Sequence, residues 1–256
     1  MTITFLQLSD LHLSPSGQLL AGVDPMRQMR GVLTRIQQLD VAPAFIVVSG
    51  DLTDNGSAES YEVVNEVLQE LRAGETPVLL ALGNHDDRAT FRRVVLGEER
   101  FDEGPYHYSQ LIDGLRVIVL DSLIPEDVGG ALGAEQLAWL EAQLADPAPR
   151  GNVLVLHHPC RLAAPSRHYP MFIVREAAVL ESIVSRHRDR IVAVLAGHSH
   201  QANSAPFGGT IHVTAPSVLC QLDFFAGEQY VLIPGSGFNL CRIDHGQLVI
   251  HPVLLG

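Results

Sequence analysis

Five polar motifs carry residue types that are typical of metal sites, and each follows an apolar run that we predict to be a β-strand. The motifs are Asp10-Leu11-His12, Gly50-Asp51, Gly83-Asn84-His85-Asp86, His157-His158-Pro159 and Gly197-His198-Ser199-His200. If all five strand ends meet at one edge of a sheet, two carboxylates, one carboxamide and at least four imidazoles share a crevice. Oxygen and nitrogen donors without a thiolate suit two divalent metal ions. Paired metals of this kind are typical of enzymes that displace a phosphoryl group in line.

The spacing inside the motifs indicates which side chains could serve as ligands. Asp10 and His12 alternate along a segment that we predict to be extended, so both would point the same way. Asp51 has two carboxylate oxygens and is our candidate to bridge two metals, and the glycine before it allows a close approach of the backbone. Asn84 offers a neutral oxygen ligand, and His85 beside it offers a proton donor. Each motif alone occurs in ordinary turns, but all five in this order argue against chance.

The bulk composition limits the classes of partner. The chain has 256 residues, of which 46% are hydrophobic and 18% charged, as expected of a globular protein with a sizeable core. A net charge of −12 argues against nucleic acid, because binding to a phosphate backbone needs a basic surface. Bound dications would reverse the field locally, so a phosphate ester stays compatible with this charge. No apolar run approaches the roughly 18 residues of a membrane helix, so we expect no membrane partner.

The cysteines and the N-terminus bear on the compartment. Cys160, Cys220 and Cys241 are widely spaced and do not form a disulfide framework. The first residues lack the basic region of a signal peptide and are predicted to form a strand instead. We therefore expect a cytoplasmic protein in a reducing environment.

Strands and helices alternate along the first two hundred residues of the predicted structure. The predicted strands are 3–8, 45–48, 78–82, 115–120, 153–156 and 191–196, and the predicted helices are 25–39, 58–71, 88–96, 134–144 and 175–187. Asp24 is the expected N-cap of the first helix, with Pro25 in its first turn, and the second helix is expected to begin at Ser57 or Ala58. Short apolar strands that alternate with helices predict a largely parallel sheet with both faces buried.

From about residue 210 the pattern changes to strands joined by turns. Segments 210–214, 238–243 and 247–253 are predicted to be antiparallel strands of a second sheet, and Asp244-His245-Gly246 is a tight-turn signal. Two mixed sheets with helices outside them give an α/β fold, a four-layer α-β-β-α sandwich. Because no composition break divides the chain, we expect residues 1–256 to form a single domain with a strand-rich C-terminal part from about 210.

At these motifs the chain resembles the calcineurin-like metallophosphoesterase superfamily, whose pattern is D-x-H, GD, GNH[E/D], H and GHxH. Every element is present in order from Asp10 to His200. The length and the strand-rich tail resemble the bacterial class III enzymes that hydrolyse cyclic nucleotides or glycerophosphodiesters. The resemblance implies two metal ions, divalent or of mixed valence, drawn from iron, manganese, zinc or cobalt. Family habit also implies a homo-oligomer, a dimer or larger.

The resemblance further implies roles for individual residues. Carried over by motif, the ligands of one metal would be Asp10, His12, Asp51 and His200, and those of the other would be Asp51, Asn84, His157 and His198. His157 is preferred to His158 because the first histidine of an HHP motif is the ligand in the family. His85 would contact the phosphate and assist the leaving group, and Asn84 and His198 would also face the substrate. Further candidates for substrate contact are His158, Arg161 and His168.

These inferences together predict a metal-dependent phosphodiesterase for small diesters, either cyclic nucleotides such as cAMP or glycerophosphodiesters. Hydroxide formed at the metals would attack phosphorus in line, with Asp51 and His85 as the catalytic residues. A phosphomonoesterase or a broad-range phosphatase is the alternative. A non-catalytic scaffold of the same fold would typically have lost ligands, and the intact set argues against it. The net charge argues against a nuclease.

Overall fold

The fold alternates strands and helices through most of the chain. A computed structural model describes residues 2–15, 18–20, 22–72, 75–100 and 104–255. The helices are α1 (Pro25–Gln37), α2 (Ala58–Leu71), α3 (Arg88–Val94), α4 (Ala134–Ala145), α5 (Tyr169–Phe172) and α6 (Ala177–Arg186). Within these described ranges, every helix is too short or too polar to cross a bilayer.

The strands form two large mixed sheets and one small hairpin. They are β1 (Ile3–Leu8), β2 (Phe45–Ser49), β3 (Val78–Ala81), β4 (Tyr108–Ile112), β5 (Leu115–Val119), β6 (Asn152–Val155), β7 (Ile191–Ala196), β8 (Asn203–Phe207), β9 (Thr210–Thr214), β10 (Gln221–Asp223), β11 (Val231–Ile233), β12 (Ser236–Asp244) and β13 (Gln247–Leu255). The first sheet has the order β13-β12-β1-β2-β3, and the second has the order β4-β5-β6-β7-β9-β8. Strands β10 and β11 pair only with each other in the described structure.

The buried apolar residues fall into layers that confirm the predicted four-layer sandwich. One layer lies between the two sheets and includes Phe5 and Val117. A second packs α1 and α2 onto the first sheet through Met29 and Val64. A third packs α4 and α6 onto the second sheet and includes Leu140. Both faces of the central strands are therefore covered, which explains why their sequences are continuously apolar.

The first two helices begin where the sequence predicts. The Asp24 carboxylate accepts hydrogen bonds from the backbone N–H groups of Met26 and Arg27, at 3.0 and 3.2 Å, and Pro25 occupies the first turn. The Ser57 hydroxyl accepts from the backbone N–H of Ser60 at 3.2 Å. These side chains satisfy N–H groups that have no partner within the helix.

The expectation that the C-terminal strands build a second sheet of their own is wrong. Strand β12 pairs antiparallel with β1, with Cys241 opposite Phe5, so β12 and β13 complete the first sheet. Strand β9 lies parallel to β7, with Val213 opposite Leu195, and joins the second sheet. The turn at residues 244–246 determines only the local pairing of β12 with β13. The period-two pattern of a strand does not depend on which sheet receives it.

Candidate metal centre

The ligand-bearing segments come from both sheets and meet above the gap between them. Strands β1, β2 and β3 of the first sheet lead to Asp10, Asp51 and Asn84, whereas β6 and β7 of the second lead to His157 and His198. The expectation of one sheet edge is therefore wrong, because the crevice lies between two parallel-stranded edges. A ligand at such strand ends is common in open α/β sheets.

Five of the predicted metal-binding residues adopt a left-handed backbone conformation. The φ angles of these residues are all between 45° and 63°, and the residues are Asp10, His12, Asp51, His198 and His200. The expected extended segment from Asp10 to His12 is thus wrong. A left-handed conformation costs about 1–2 kcal/mol per non-glycine residue and concentrates at functional sites. Hydrogen bonds hold it here, since the N–H groups of Asp10 and His12 donate to the carbonyls of Gly50 and Asp51 at 3.0 Å.

The glycines that precede three ligands allow the segments to touch. A Cβ on Gly83 would overlap the Asp51 carboxylate, and a Cβ on Gly50 would overlap the His157 ring. A Cβ on Gly197 would overlap the Ser9 hydroxyl. The close approach expected at Gly50 therefore extends to all three motifs. Any larger residue would push the ligand-bearing segments apart.

The first group of side chains converges around His200. Its Nε2 lies 3.1 Å from His12 Nε2 and 3.4 Å from Asp10 Oδ1. His12 Nε2 also lies 3.6 Å from Asp51 Oδ2. The Nδ1–H of His200 donates to the carbonyl of Cys220 at 2.9 Å, which leaves a lone pair on Nε2. Two imidazole nitrogens and two carboxylate oxygens therefore face one another.

The second group converges around His157. Its Nδ1–H donates to the Ser49 carbonyl at 2.8 Å, so in the neutral ring the lone pair lies on Nε2. That nitrogen lies 3.2 Å from Asn84 Oδ1 and 3.3 Å from Asp51 Oδ2. His198 donates through Nε2–H to the carbonyl of Met171 at 3.0 Å, which leaves Nδ1 as its available atom. A carbonyl partner that fixes the tautomer is typical of metal-binding histidines.

The donor set fits divalent metal ions. The converging atoms of both groups are oxygens and ring nitrogens that can ligate a metal, and a bound cation displaces the protons that the rings would otherwise carry. Asp51 Oδ2 belongs to both groups, at 3.6 Å from His12 Nε2 and 3.3 Å from His157 Nε2. Cys220 lies nearby, with Sγ 3.8 Å from His200 Nδ1, but burial raises the pKa of its thiol to about 11. Its sulfur lies on the Nδ1 side of His200, whereas Nε2 faces the other ligands, so the convergent atoms are oxygens and imidazole nitrogens.

The electrostatics of the buried groups agree with a cation site. Burial alone would raise the pKa of Asp51, but His157 and His12 hold it well below its usual range. Burial would lower the pKa of His157, and the adjacent Asp51 carboxylate outweighs this and raises it to about 9. Burial and the neighbouring histidines hold the pKa of His198 well below its usual range, so its ring is neutral. Carboxylates that attract positive charge and a neutral imidazole are what a metal requires.

A cavity of about 310 Å³ opens above these groups. Six predicted site residues contribute to its lining, namely His12, Asp51, Asn84, His85, His198 and His200. Asp10 and His157 lie beneath it and are fully buried. The cavity therefore gives a small molecule direct access to the candidate metal ligands.

His85 is placed to act on a molecule in this cavity. Its side chain is 39% exposed, and its Nδ1–H donates to the Asp54 carbonyl at 2.7 Å, which directs Nε2 away from the protein. The backbone N–H of His85 donates to Asp51 Oδ1 at 2.9 Å. One residue therefore presents an imidazole to the cavity and also orients the shared carboxylate.

Sequence reasoning missed the role of Asp86. Its buried carboxylate accepts hydrogen bonds from the N–H groups of Leu52, Thr53 and Gly83 and from the hydroxyl of Tyr61, at 2.9–3.2 Å. It therefore holds the loop after β2 against the loop after β3. The available signal was its position directly after Asn84 and His85 in a motif at a strand end.

The structure does not bring the three further candidates to the cavity. His158 lies within 4.8 Å of His157 and His198, but its ring nitrogens already bond Ser122 Oγ at 2.8 Å and the Val128 carbonyl at 3.1 Å. Arg161 pairs with Glu181 at 2.7 Å and lines other cavities. His168 is buried behind the cavity in an aromatic cluster whose other members are Phe172, Phe224 and Tyr230.

Comparisons with known proteins agree with this geometry. Residues 3–202 match the sequence pattern of a family described as Calcineurin-like phosphoesterase. A protein of Rhodococcus erythropolis named "Probable cyclic nucleotide phosphodiesterase" is 35% identical, over 96% of this chain and 81% of its own length. A cAMP/cGMP dual specificity phosphodiesterase of Mycobacterium tuberculosis is 34% identical, over 97% of this chain and 78% of its own length.

The fold also matches solved structures. A dimetal phosphatase from Danio rerio superposes with a TM-score of 0.71 over 98% of both chains, at 15% sequence identity. The resemblance noted from the five motifs is confirmed by the family match, and the clustered acceptors form a site for divalent metal ions. The chain belongs to the calcineurin-like phosphoesterase family.

Proposed function

We propose that this chain is a phosphodiesterase that uses two divalent metal ions to hydrolyse small phosphodiesters. The observation that carries the proposal is the position of Asp51, whose Oδ2 lies between His12 and His157. One carboxylate oxygen shared by two ligand groups is the arrangement that a pair of metals needs. The two relatives named as cyclic nucleotide phosphodiesterases support the same reaction class.

The proposed ligand sets follow the two acceptor groups. One ion would be held by Asp10, His12, Asp51 and His200, and the other by Asp51, Asn84, His157 and His198. When bound, the ions would stabilise charge on the phosphoryl oxygens and make a water molecule acidic enough to attack near neutral pH. We propose iron, manganese, zinc or cobalt, because these metals accept mixed carboxylate and imidazole ligands.

The chain's own residues position the reacting groups. Asp51 is held by the N–H of His85, so its orientation is set before substrate arrives. The Asn84 amide and the His198 ring border the cavity where the phosphoryl group would lie. His85 is the proposed proton donor to the leaving oxygen through Nε2. Because Nδ1–H already donates to the Asp54 carbonyl, donation from Nε2 requires a proton on that nitrogen as well.

The charges around the cavity favour a diester over a monoester. In the described part of the chain no arginine lines the cavity, and the sequence contains no lysine. The cavity does contain the carboxylates of Asp51 and Asp54. A monoester dianion would bring a second negative charge with no arginine or lysine side chain to receive it, whereas a diester brings one. Two metals without arginine or lysine beside them therefore suit the monoanion better.

The test compares two substrates with one leaving group. Protein stripped with a chelator and reloaded with manganese would be assayed with bis(p-nitrophenyl) phosphate and p-nitrophenyl phosphate. The proposal predicts metal-dependent turnover with a higher kcat/KM for the diester. A preference for the monoester would assign the alternative function, a phosphomonoesterase. Absence of turnover with either ester, despite bound metal, would contradict both.

A further inference from the structure

The cavity above the metal centre has one apolar side, which we call the apolar wall. The wall consists of Val128, Met171, Phe172, Leu222, Tyr230 and Leu232. Val128, Tyr230 and Leu232 are 48%, 37% and 44% exposed, so their apolar surfaces face solvent where a ligand would lie. Large apolar side chains that remain exposed together beside a polar site mark a surface that a ligand covers.

The wall is held in place before any ligand binds. Tyr230 and Leu232 lie on the hairpin of β10 and β11, and Met171 and Phe172 lie on α5. Arg167 joins the two segments, because its guanidinium donates to the carbonyls of Gly227 and Glu228 at 2.6 and 2.8 Å. These two hydrogen bonds fix the hairpin tip next to α5.

Aromatic packing behind the wall fixes the ring of Tyr230. The Phe172 ring is edge-on to Tyr230 at 5.7 Å and to Phe224 at 5.0 Å between ring centroids. The ring of His168 lies 6.0 Å from that of Tyr230. Phe224 is fully buried and Phe172 nearly so, whereas Tyr230 remains partly exposed. Tyr230 is therefore a positioned aromatic surface at the edge of the cavity.

The polar side of the cavity has little capacity for a hydroxylated ester group. Apart from the proposed metal ligands, the side chains that could hydrogen-bond there are Asp54, His85, Cys220 and the Tyr230 hydroxyl. His85 is assigned to the leaving oxygen, and the Cys220 thiol is a weak partner. A polyol placed against the wall would lose hydrogen bonds to water without replacing them, which opposes binding. The faces of a flat aromatic ring make no such hydrogen bonds, so the ring would stack on Tyr230 without this loss.

We propose that this site prefers diesters whose retained ester group, the one that does not leave, carries a flat aromatic ring seated against Tyr230 and Leu232, over diesters whose retained group is a polyol such as glycerol. A nucleobase and an aryl ester are two forms of the same chemistry. The inference rests on the proposed phosphodiesterase function and adds the class of organic group. It makes Tyr230 and Leu232 residues that determine specificity.

The test varies one ester group while the leaving group stays constant. Benzyl p-nitrophenyl phosphate and glyceryl p-nitrophenyl phosphate would be compared on manganese-loaded protein, so that the same p-nitrophenolate departs from both. The native protein is expected to favour the benzyl ester in kcat/KM. In Tyr230→Ser and Leu232→Ser this benzyl-to-glyceryl ratio should fall, by roughly tenfold for the tyrosine, since stacking on one aromatic ring has about that effect.

A matched control lies on the same hairpin. Phe225 is 69% exposed and does not line the cavity, so Phe225→Ser should keep the native ratio. Binding without turnover gives a second readout through calorimetry with two anions that cannot be hydrolysed. Dibenzylphosphinate should bind more tightly than dimethylphosphinate to the native protein, and Tyr230→Ser should lose most of that difference.

The outcomes separate this inference from the proposed function. Turnover of both diesters with an unchanged ratio in Tyr230→Ser and Leu232→Ser would overturn the aromatic preference and leave the phosphodiesterase in place. A native preference for the glyceryl ester would overturn it as well. Absence of turnover with every diester, on protein that binds manganese, would overturn the proposed function and this inference with it.

Discussion

The backbone N–H of His198 donates to both carboxylate oxygens of Asp10, at 3.0 and 3.1 Å. Asp10 follows a strand of the first sheet and His198 follows a strand of the second, so this contact joins the two sheets at the metal centre. The Asp10 carboxylate therefore has two tasks, since it orients the opposite loop and supplies a ligand atom. The geometry of the centre depends on how the two sheets are held against each other.

A buried glutamine below the centre provides a test of this dependence. The Gln7 amide donates to the Ala196 carbonyl at 2.9 Å and accepts from Asn239 Nδ2 at 3.1 Å. Gln7→Leu would remove the main partner of the buried Asn239 amide, and we expect the free energy of unfolding to fall by about 1–3 kcal/mol. Chemical denaturation measures this. Gln110→Leu, at an exposed position on β4, should change it by no more than about 0.5 kcal/mol. Equal effects of the two substitutions would contradict a linking role for Gln7.

The glycine before Asn84 should tolerate no side chain. Gly83→Ala would place a Cβ on the Asp51 carboxylate, so we expect loss of most bound metal together with a lower melting temperature. Gly133→Ala is the matched control, because a Cβ there meets no atom within 4 Å and its φ of −64° is ordinary. Metal analysis of the two purified variants checks the prediction. A Gly83→Ala protein with native metal content would show that the close packing around Asp51 is not required.

The proposed proton donor can be separated from the ligands. His85→Ala should keep its metal while kcat falls by roughly 10²-fold or more, as expected when a general acid is removed. A substrate whose leaving group needs no proton, such as a p-nitrophenyl ester, should be affected less than an alkyl diester. Metal content and kcat measured on the same preparation provide the check. Loss of both metals in this variant would make His85 a ligand instead.

A buried histidine outside the site predicts a pH dependence of stability. His212 is fully buried on β9, and burial lowers its pKa to about 3. The unfolded chain would titrate this group near pH 6.5, so between about pH 6.5 and 3 the unfolded state binds more protons than the folded state. Stability is therefore lost as the pH falls through that window, by about 1.4 kcal/mol per pH unit for this group.

Urea unfolding at pH 7 and pH 5 tests this assignment. The native protein should lose about 2 kcal/mol more between these values than His212→Gln, in which the titrating ring is absent. Gln can still accept the hydrogen bond that Cys160 N–H donates to His212 Nε2 at 3.1 Å. His251→Gln, at an exposed position on β13, should behave like the native chain. Parallel losses in all three proteins would show that His212 does not titrate as its burial implies.

The sequence allowed the strand ends to be located but not the conformation of the residues after them. Apolar runs such as 191–196 end where charge or glycine begins, and that boundary places His198 correctly. The left-handed φ of Asp10 and His12 has no such signal, because non-glycine residues adopt it only when tertiary contacts impose it. The tautomers of His157 and His200 likewise depend on carbonyls distant in sequence.

The sheet to which each C-terminal strand belongs and the apolar wall of the cavity could not be predicted from the sequence either. Strand β8 contains Pro206 and β11 precedes Pro234, and proline next to short apolar runs argues against strands. Both strands were missed. Because β11 was missed, the position of Tyr230 and Leu232 beside the metal centre was not predicted either. The form of the loops that carry the wall is set by packing such as that of Phe172 on Phe224, which the sequence does not encode locally.

The most direct test of the account counts metal ions in the native protein and in Asp51→Ala. Protein stripped with chelator would be equilibrated with manganese, and bound metal would be measured per chain. Because Asp51 Oδ2 faces both ligand groups, the account predicts two ions in the native chain and nearly none in the variant, with turnover lost. Asp189→Ala, at a side chain that is 92% exposed, should bind two. An Asp51→Ala protein that keeps two ions and near-native turnover would contradict the shared carboxylate.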